Sequence, residues 1–137
     1  MGDSITQMTK TILVVDDHPD IRSFMSAALE AAGYQVRTAA DGAQALVRQR
    51  EHPADLLITD IFMPEQDGFE TISRCRAEFP HTRIIVMSAG GSNLMKHDYL
   101  ATAGLLDVDG TLRKPFDVGT LLETVRGALQ ARTQPGP

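Results

Sequence analysis

TILVVDDHPD (residues 11–20) decides the fold: an apolar run, two aspartates, then a proline where a helix would begin. An apolar run without polar alternation belongs to a strand covered on both faces. Proline suits the first helical turn, where its missing N–H would have no partner in any case. Outward from this stretch the same pattern recurs. LLITD (56–60) and IIVMS (84–88) stay apolar until a polar residue closes them, Tyr34–Ala39 alternates as an edge strand would, and a weaker run lies at Gly110–Arg113. Five helical stripes stand between or after these runs. The first carries Ile21, Phe24, Met25, Ala28, Leu29 and Ala32 and is stopped by Gly33; the second carries Ala43, Leu46 and Val47, capped by Asp41 and ending before Pro53. The third carries Phe69, Ile72, Cys75 and Phe79, the fourth Met95, Tyr99, Ala103 and Leu106, and the fifth, capped by Asp117, Val118, Leu121, Leu122, Val125 and Leu129. Strands alternating with helices predict a doubly wound, five-stranded parallel α/β sheet, which takes its ligands at the carboxyl ends of the strands.

A chain of 137 residues is one domain's worth, expected over 10–131, with a flexible segment at 1–9 and a disordered tail at 132–137. Thirteen basic residues against eighteen acidic ones leave a net charge of −5, the wrong sign for a surface that holds nucleic acid or an anionic membrane. The lone cysteine, Cys75, falls in a helical stripe and reads as a packed residue. With no disulfide pair, no secretory profile at the start and no run long enough to span a membrane, the expected location is the cytoplasm.

The polar residues that close the strands carry the chemistry. Asp16 and Asp17 follow the first strand, Asp60 the third, Ser88 the fourth and Lys114 the fifth, with 44, 28 and 26 residues separating Asp16, Asp60, Ser88 and Lys114 in turn. In a parallel sheet these ends meet on one rim. Three carboxylates there repel unless a cation neutralises them, and an oxygen-only donor set fits Mg²⁺ better than zinc. A carboxylate the metal leaves accessible can attack phosphorus, while the metal, a hydroxyl and a lysine neutralise the oxygens of the transferring group.

On VVDDHPDIR (14–22), DLLITDIFMPEQDGFE (55–70), IIVMSAG (84–90) and LRKPF (112–116), the chain resembles the receiver domains of two-component response regulators over about residues 10–131. The resemblance implies strand order 2-1-3-4-5, with Asp60 as phosphoacceptor for a phosphoryl group from a histidine kinase. It implies Mg²⁺ held by Asp17, Asp60 and the backbone carbonyl of Phe62, with Asp16 acting through a water and Ser88 and Lys114 contacting the phosphoryl group. Met63-Pro64 and Gly68 match the family's turn after the acceptor, and Lys114-Pro115 its usually cis bond. The expected partners are a sensor histidine kinase or phosphotransfer protein and an output protein reached through a phosphorylation-dependent face. The resemblance thus implies a signalling domain that assists its own phosphorylation and dephosphorylation. A receiver piece of a larger transcription factor and a phosphate sink or relay are the alternatives.

Three departures stand out. Thr111 replaces the family's switch aromatic, the stretch from Ser88 to Lys114 is about four residues longer than in the chemotaxis type, and Phe62 and Gly90 occupy two positions that tune phosphate loss. The stiff, small Thr111 shifts the expected switch onto Ser88 and the Gly90-Gly91 loop. DVDGTL (107–112) also matches a phosphatase signature, but only 25 residues follow it, so a turn leading into a short strand is the preferred reading. His18 lies on the rim, within reach of the site, and is expected to cap a helix or face solvent rather than contact it; His52, His81 and His97 are scattered.

Overall fold

The computed structural model describes residues 9–61, 68–89 and 108–131. In chain order they form β1 (Thr11–Val15), α1 (Pro19–Ala31), β2 (Gln35–Ala39), α2 (Gly42–Glu51), β3 (Leu56–Asp60), α3 (Gly68–Glu78), β4 (Arg83–Ala89), β5 (Gly110–Lys114) and α4 (Val118–Ala131). All strands pair in parallel in the order β2-β1-β3-β4-β5. The alternating Tyr34–Ala39 run is an edge strand, as its pattern predicts. The fourth helical stripe, Phe62, Met63-Pro64, Gly90-Gly91, His97, residues 1–8 and the tail 132–137 lie outside the described residues.

Two cores explain why the central strands are apolar throughout. Ile12 and Val14 of β1 join Met25, Leu29, Leu121 and Val125 on the face under α1 and α4. Leu13 and Val15, the alternate residues of the same strand, join Ala45, Ile72 and Cys75 under α2 and α3. Ile12 to Val15 thus each have a hydrophobic destination, and polar residues stand only where the strand begins and where it runs out.

Local signals set the helix ends. The Gly33 and Tyr34 N–H groups donate to the carbonyls of Glu30 and Leu29, a Schellman closure in which Gly33 takes a φ of 102°. Asp41 Oδ1 accepts the Gln44 N–H at 2.8 Å, and the Gln44 side chain reaches back to the Ala40 N–H at 2.9 Å. Asp117 likewise caps α4 through the Thr120 N–H at 2.8 Å. The Lys114-Pro115 bond is cis.

The expected stripe on the second helix needs correction. Ala43 and Val47 are exposed, Val47 at 51%, while Ala45, Leu46 and Gln49 face inward. Gln49 is held on this inward face by polar partners. Its Nε2 donates to Thr82 Oγ1 at 3.2 Å and lies 3.7 Å from Cys75 Sγ, and its Oε1 accepts the Ala54 N–H at 2.6 Å. Thr82 Oγ1 donates in turn to the Ala54 carbonyl at 2.8 Å. A polar side chain with these partners is cheaper to bury than its sequence suggests. Cys75 is buried as expected, and burial pushes its thiol up to about 11, far from a reactive thiolate.

Candidate functional site

Asp16 stands one residue past the end of β1, and Asp60 ends β3 beside it, because Val15 pairs with Thr59. Both are withdrawn from solvent, Asp16 to 0% and Asp60 to 5% exposure. Two buried carboxylates side by side repel and lose their hydration. The countercharge arrives from β5, where Lys114 Nζ donates to Asp16 Oδ2 at 2.7 Å and to Asp60 Oδ2 at 2.8 Å. Burial opposes ionisation of Asp16, but hydrogen bonds from the Lys114 ammonium and the His18 N–H outweigh it and hold the carboxyl below the usual range. For Lys114, burial alone would favour the neutral amine; its bonds to Asp16 and Asp60 hold it above the ordinary lysine value instead.

The turn after β1 holds the rest of the acidic group. The His18 N–H donates to Asp16 Oδ1 at 2.9 Å, an Asx turn that brings residue 18 back over residue 16. Ring atom Nδ1 then lies 3.0 Å from Asp16 Oδ1 and 3.1 Å from Asp17 Oδ1. Of the two roles expected for His18, exposure holds and side-chain capping does not. Its backbone occupies the N-cap position of α1, but its side chain makes no cap bond and its ring, though 65% exposed, turns to the carboxylates. Nδ1 carries at most one proton, so it cannot donate to both carboxylates at once, and in the tautomer protonated on Nε2 it presents a lone pair to them. Asp17 Oδ1 is buried without a hydrogen bond, an acceptor whose cost a cation would relieve.

Ser88 sits on the same edge, next to Ala89, which pairs with Lys114 across β4 and β5. Its hydroxyl is also buried without a hydrogen bond, in a residue only 3% exposed. The structure therefore joins Asp16, Asp60 and Lys114 directly, links Asp17 to them through His18, and places Ser88 on their edge. Phe62, whose carbonyl the resemblance adds to the metal ligands, lies outside the described residues.

One contributor escaped the sequence reading. Arg22 Nη1 donates to the Asp16 backbone carbonyl at 2.7 Å, tying α1 to the acidic turn. A basic residue close to a helix start works against the helix dipole, and that mismatch was the available signal. From Val108 on, the DVDGTL stretch lies at the other edge of the sheet. There Asp109 Oδ2 accepts the Ile84 N–H at 2.9 Å, the structural role preferred for that motif. Thr111 is exposed on β5.

Comparison with known proteins agrees with this geometry. The family model of the response regulator receiver domain matches residues 12–126. The response regulator receiver protein CpdR of Brucella abortus is 35% identical over 122 residues, covering 89% of this chain and 98% of CpdR. The DNA-binding transcriptional regulator NtrC of Azospirillum brasilense is 37% identical over 125 residues, covering 91% of this chain, which spans only 25% of that longer regulator. Among solved structures, the chemotaxis protein CheY4 of Vibrio cholerae superposes with a TM-score of 0.76 at 34% identity, covering 88% of this chain and 98% of CheY4. With strand order, acidic edge and family match in agreement, the chain belongs to the response regulator receiver domains of two-component signalling systems.

Proposed function

We propose that this chain accepts a phosphoryl group on Asp60 from the phosphohistidine of a sensor histidine kinase or phosphotransfer protein, with Mg²⁺ as cofactor, and thereby changes the face it offers to an output protein. The observation that carries this reading is the Asp60 carboxylate at the open end of the sheet, bonded by an ammonium at 2.8 Å and flanked by further carboxylates. In the transfer an Asp60 oxygen forms a bond to phosphorus while the donor's N–P bond breaks and its electron pair returns to the imidazole. Lys114 is placed to follow the added charge, and the unpartnered Ser88 hydroxyl to donate to a phosphoryl oxygen.

The residues that would hold Mg²⁺ are Asp17 and Asp60, with the Phe62 carbonyl, and Asp16 through a water. The Asp17 Oδ1 atom, buried without a hydrogen bond, fits this assignment, and so does the oxygen-rich donor set. When bound, the ion neutralises charge on the phosphoryl oxygens. In this reading the chain works in the cytoplasm as a signalling domain that assists its own phosphorylation and dephosphorylation. No helix among the described residues is long and apolar enough to cross a membrane.

Intact-mass analysis with acetyl phosphate as donor tests the assignment. The wild type gains a phosphoryl adduct only with Mg²⁺, Asp17→Ala loses the metal-dependent labelling, and Asp60→Ala gains none. An adduct on Asp60→Ala equal to that on wild type overturns it. The match to a quarter of NtrC favours a second reading, in which output is delivered by further domains of a longer polypeptide. The mass of the native gene product separates the two.

A further inference from the structure

We propose that His18 is itself a ligand of the divalent cation and biases the site toward borderline transition ions such as Mn²⁺ and Co²⁺. The inference rests on the cation site proposed above and deepens it. Nδ1 of His18 lies 3.0 Å from Asp16 Oδ1 and 3.1 Å from Asp17 Oδ1, and one donor atom from each of the three residues lies within 4.8 Å of the others. Adjacent donors on an octahedral ion bound at about 2.1 Å stand about 3.0 Å apart. The ring nitrogen and the Asp17 oxygen thus already have the spacing of neighbouring coordination positions. That oxygen is buried with no hydrogen bond, although the ring nitrogen is beside it. A shared cation would satisfy both atoms at once, with the Nδ1 lone pair turned to the ion and the ring proton carried on Nε2, while Asp16 Oδ1 keeps the His18 backbone N–H.

The backbone fixes the ring for this task. The His18 N–H is pinned to Asp16 Oδ1 at 2.9 Å, and Pro19 follows immediately as the first residue of α1. Lys114 binds the other oxygen of Asp16, so ligation by His18 does not require the ammonium to leave. The chemistry of the donor sets the preference. Mg²⁺ takes oxygen ligands and retains waters, whereas an imidazole nitrogen favours first-row transition ions. With His18 removed, the site keeps its carboxylates and should keep its Mg²⁺ affinity.

The test uses the full chain, with Mn²⁺ and Mg²⁺ titrated separately by calorimetry and bound Mn²⁺ examined by pulsed electron paramagnetic resonance. The expected result is a ¹⁴N coupling in wild type that disappears in His18→Ala, with Mn²⁺ affinity falling about tenfold, the lower end of what altering a metal ligand's support costs, and Mg²⁺ affinity nearly unchanged. His18→Gln, which keeps a polar side chain after the acidic turn, should also lose the coupling. Mn²⁺ bound with oxygen coordination alone, or a ¹⁴N coupling that persists in both variants, overturns the role of His18 and leaves the cation site standing. Failure of wild type to bind either ion overturns the cation site and this inference together.

Discussion

The two ends of the sheet carry the same kinds of side chain and use them differently. At the amino edge, Asp55 Oδ2 accepts the Thr11 N–H and Asp109 Oδ2 the Ile84 N–H, each at 2.9 Å, while Gln49 and Thr82 bond the main chain of Ala54. Polar side chains there satisfy the backbone where strands begin. At the carboxyl edge, Asp16 and Asp60 share the Lys114 ammonium, while Asp17 Oδ1 and the Ser88 hydroxyl are buried with no hydrogen bond. An aspartate bonded to backbone amides is structurally satisfied. Aspartates gathered against one another, with acceptors unfilled, form a site poised for an incoming charge.

The strongest way to break this contrast is to remove an aspartate from each edge. Asp60→Ala is expected to abolish phosphoryl labelling, and Asp109→Ala to leave it intact, both read by intact mass. Comparable labelling of the two variants would dissolve the distinction. Stability sharpens it further. Lys114→Met leaves two buried carboxylates facing each other without their ammonium and is expected to cost about 3 kcal/mol in urea unfolding, whereas Asp60→Ala relieves repulsion and should cost far less. Asp109→Ala, which strands one backbone N–H, is expected to cost about 1–2 kcal/mol.

The smallest expected effect is in the pH profile. The folded Asp16 carboxyl lies below its usual range, so its contribution is present above about pH 4 and lost as pH falls through the folded value. The folded Lys114 lies above its usual value, so its contribution is complete below about pH 10 and lost as pH rises through the folded value. Urea midpoints should therefore show both limbs in wild type, with a weaker alkaline limb in Lys114→Met. An unchanged alkaline limb would remove Lys114 from the account.

The carboxyl edge was legible in the sequence because each of its members interrupts or follows an apolar run, and the parallel topology then forces the strand ends together. Strand order came from the family resemblance rather than from periodicity. What stayed hidden depended on partners far along the chain. Gln49 reads as a surface residue until Cys75 and Thr82, 26 and 33 residues away, come to meet it, and it rather than Val47 takes the inward face. The orientation of the His18 ring was hidden for a different reason. It follows from a turn closed by Asp16, and no pattern of residue types specifies where a side chain goes once such a turn has formed.

The Lys114 bridge also has a consequence for the order in which the protein is made. Its two bonds join residues 98 and 54 positions apart, so they are contacts of high sequence separation that reward the chain only after long loops have closed. During synthesis Asp16, Asp17 and Asp60 all leave the ribosome before the residue that compensates them. A nascent chain stopped short of position 114 carries the acidic residues of this edge with no lysine to hold them together. Completion of the site is therefore tied to completion of the sheet, and a truncated product lacks the ammonium that joins Asp16 to Asp60.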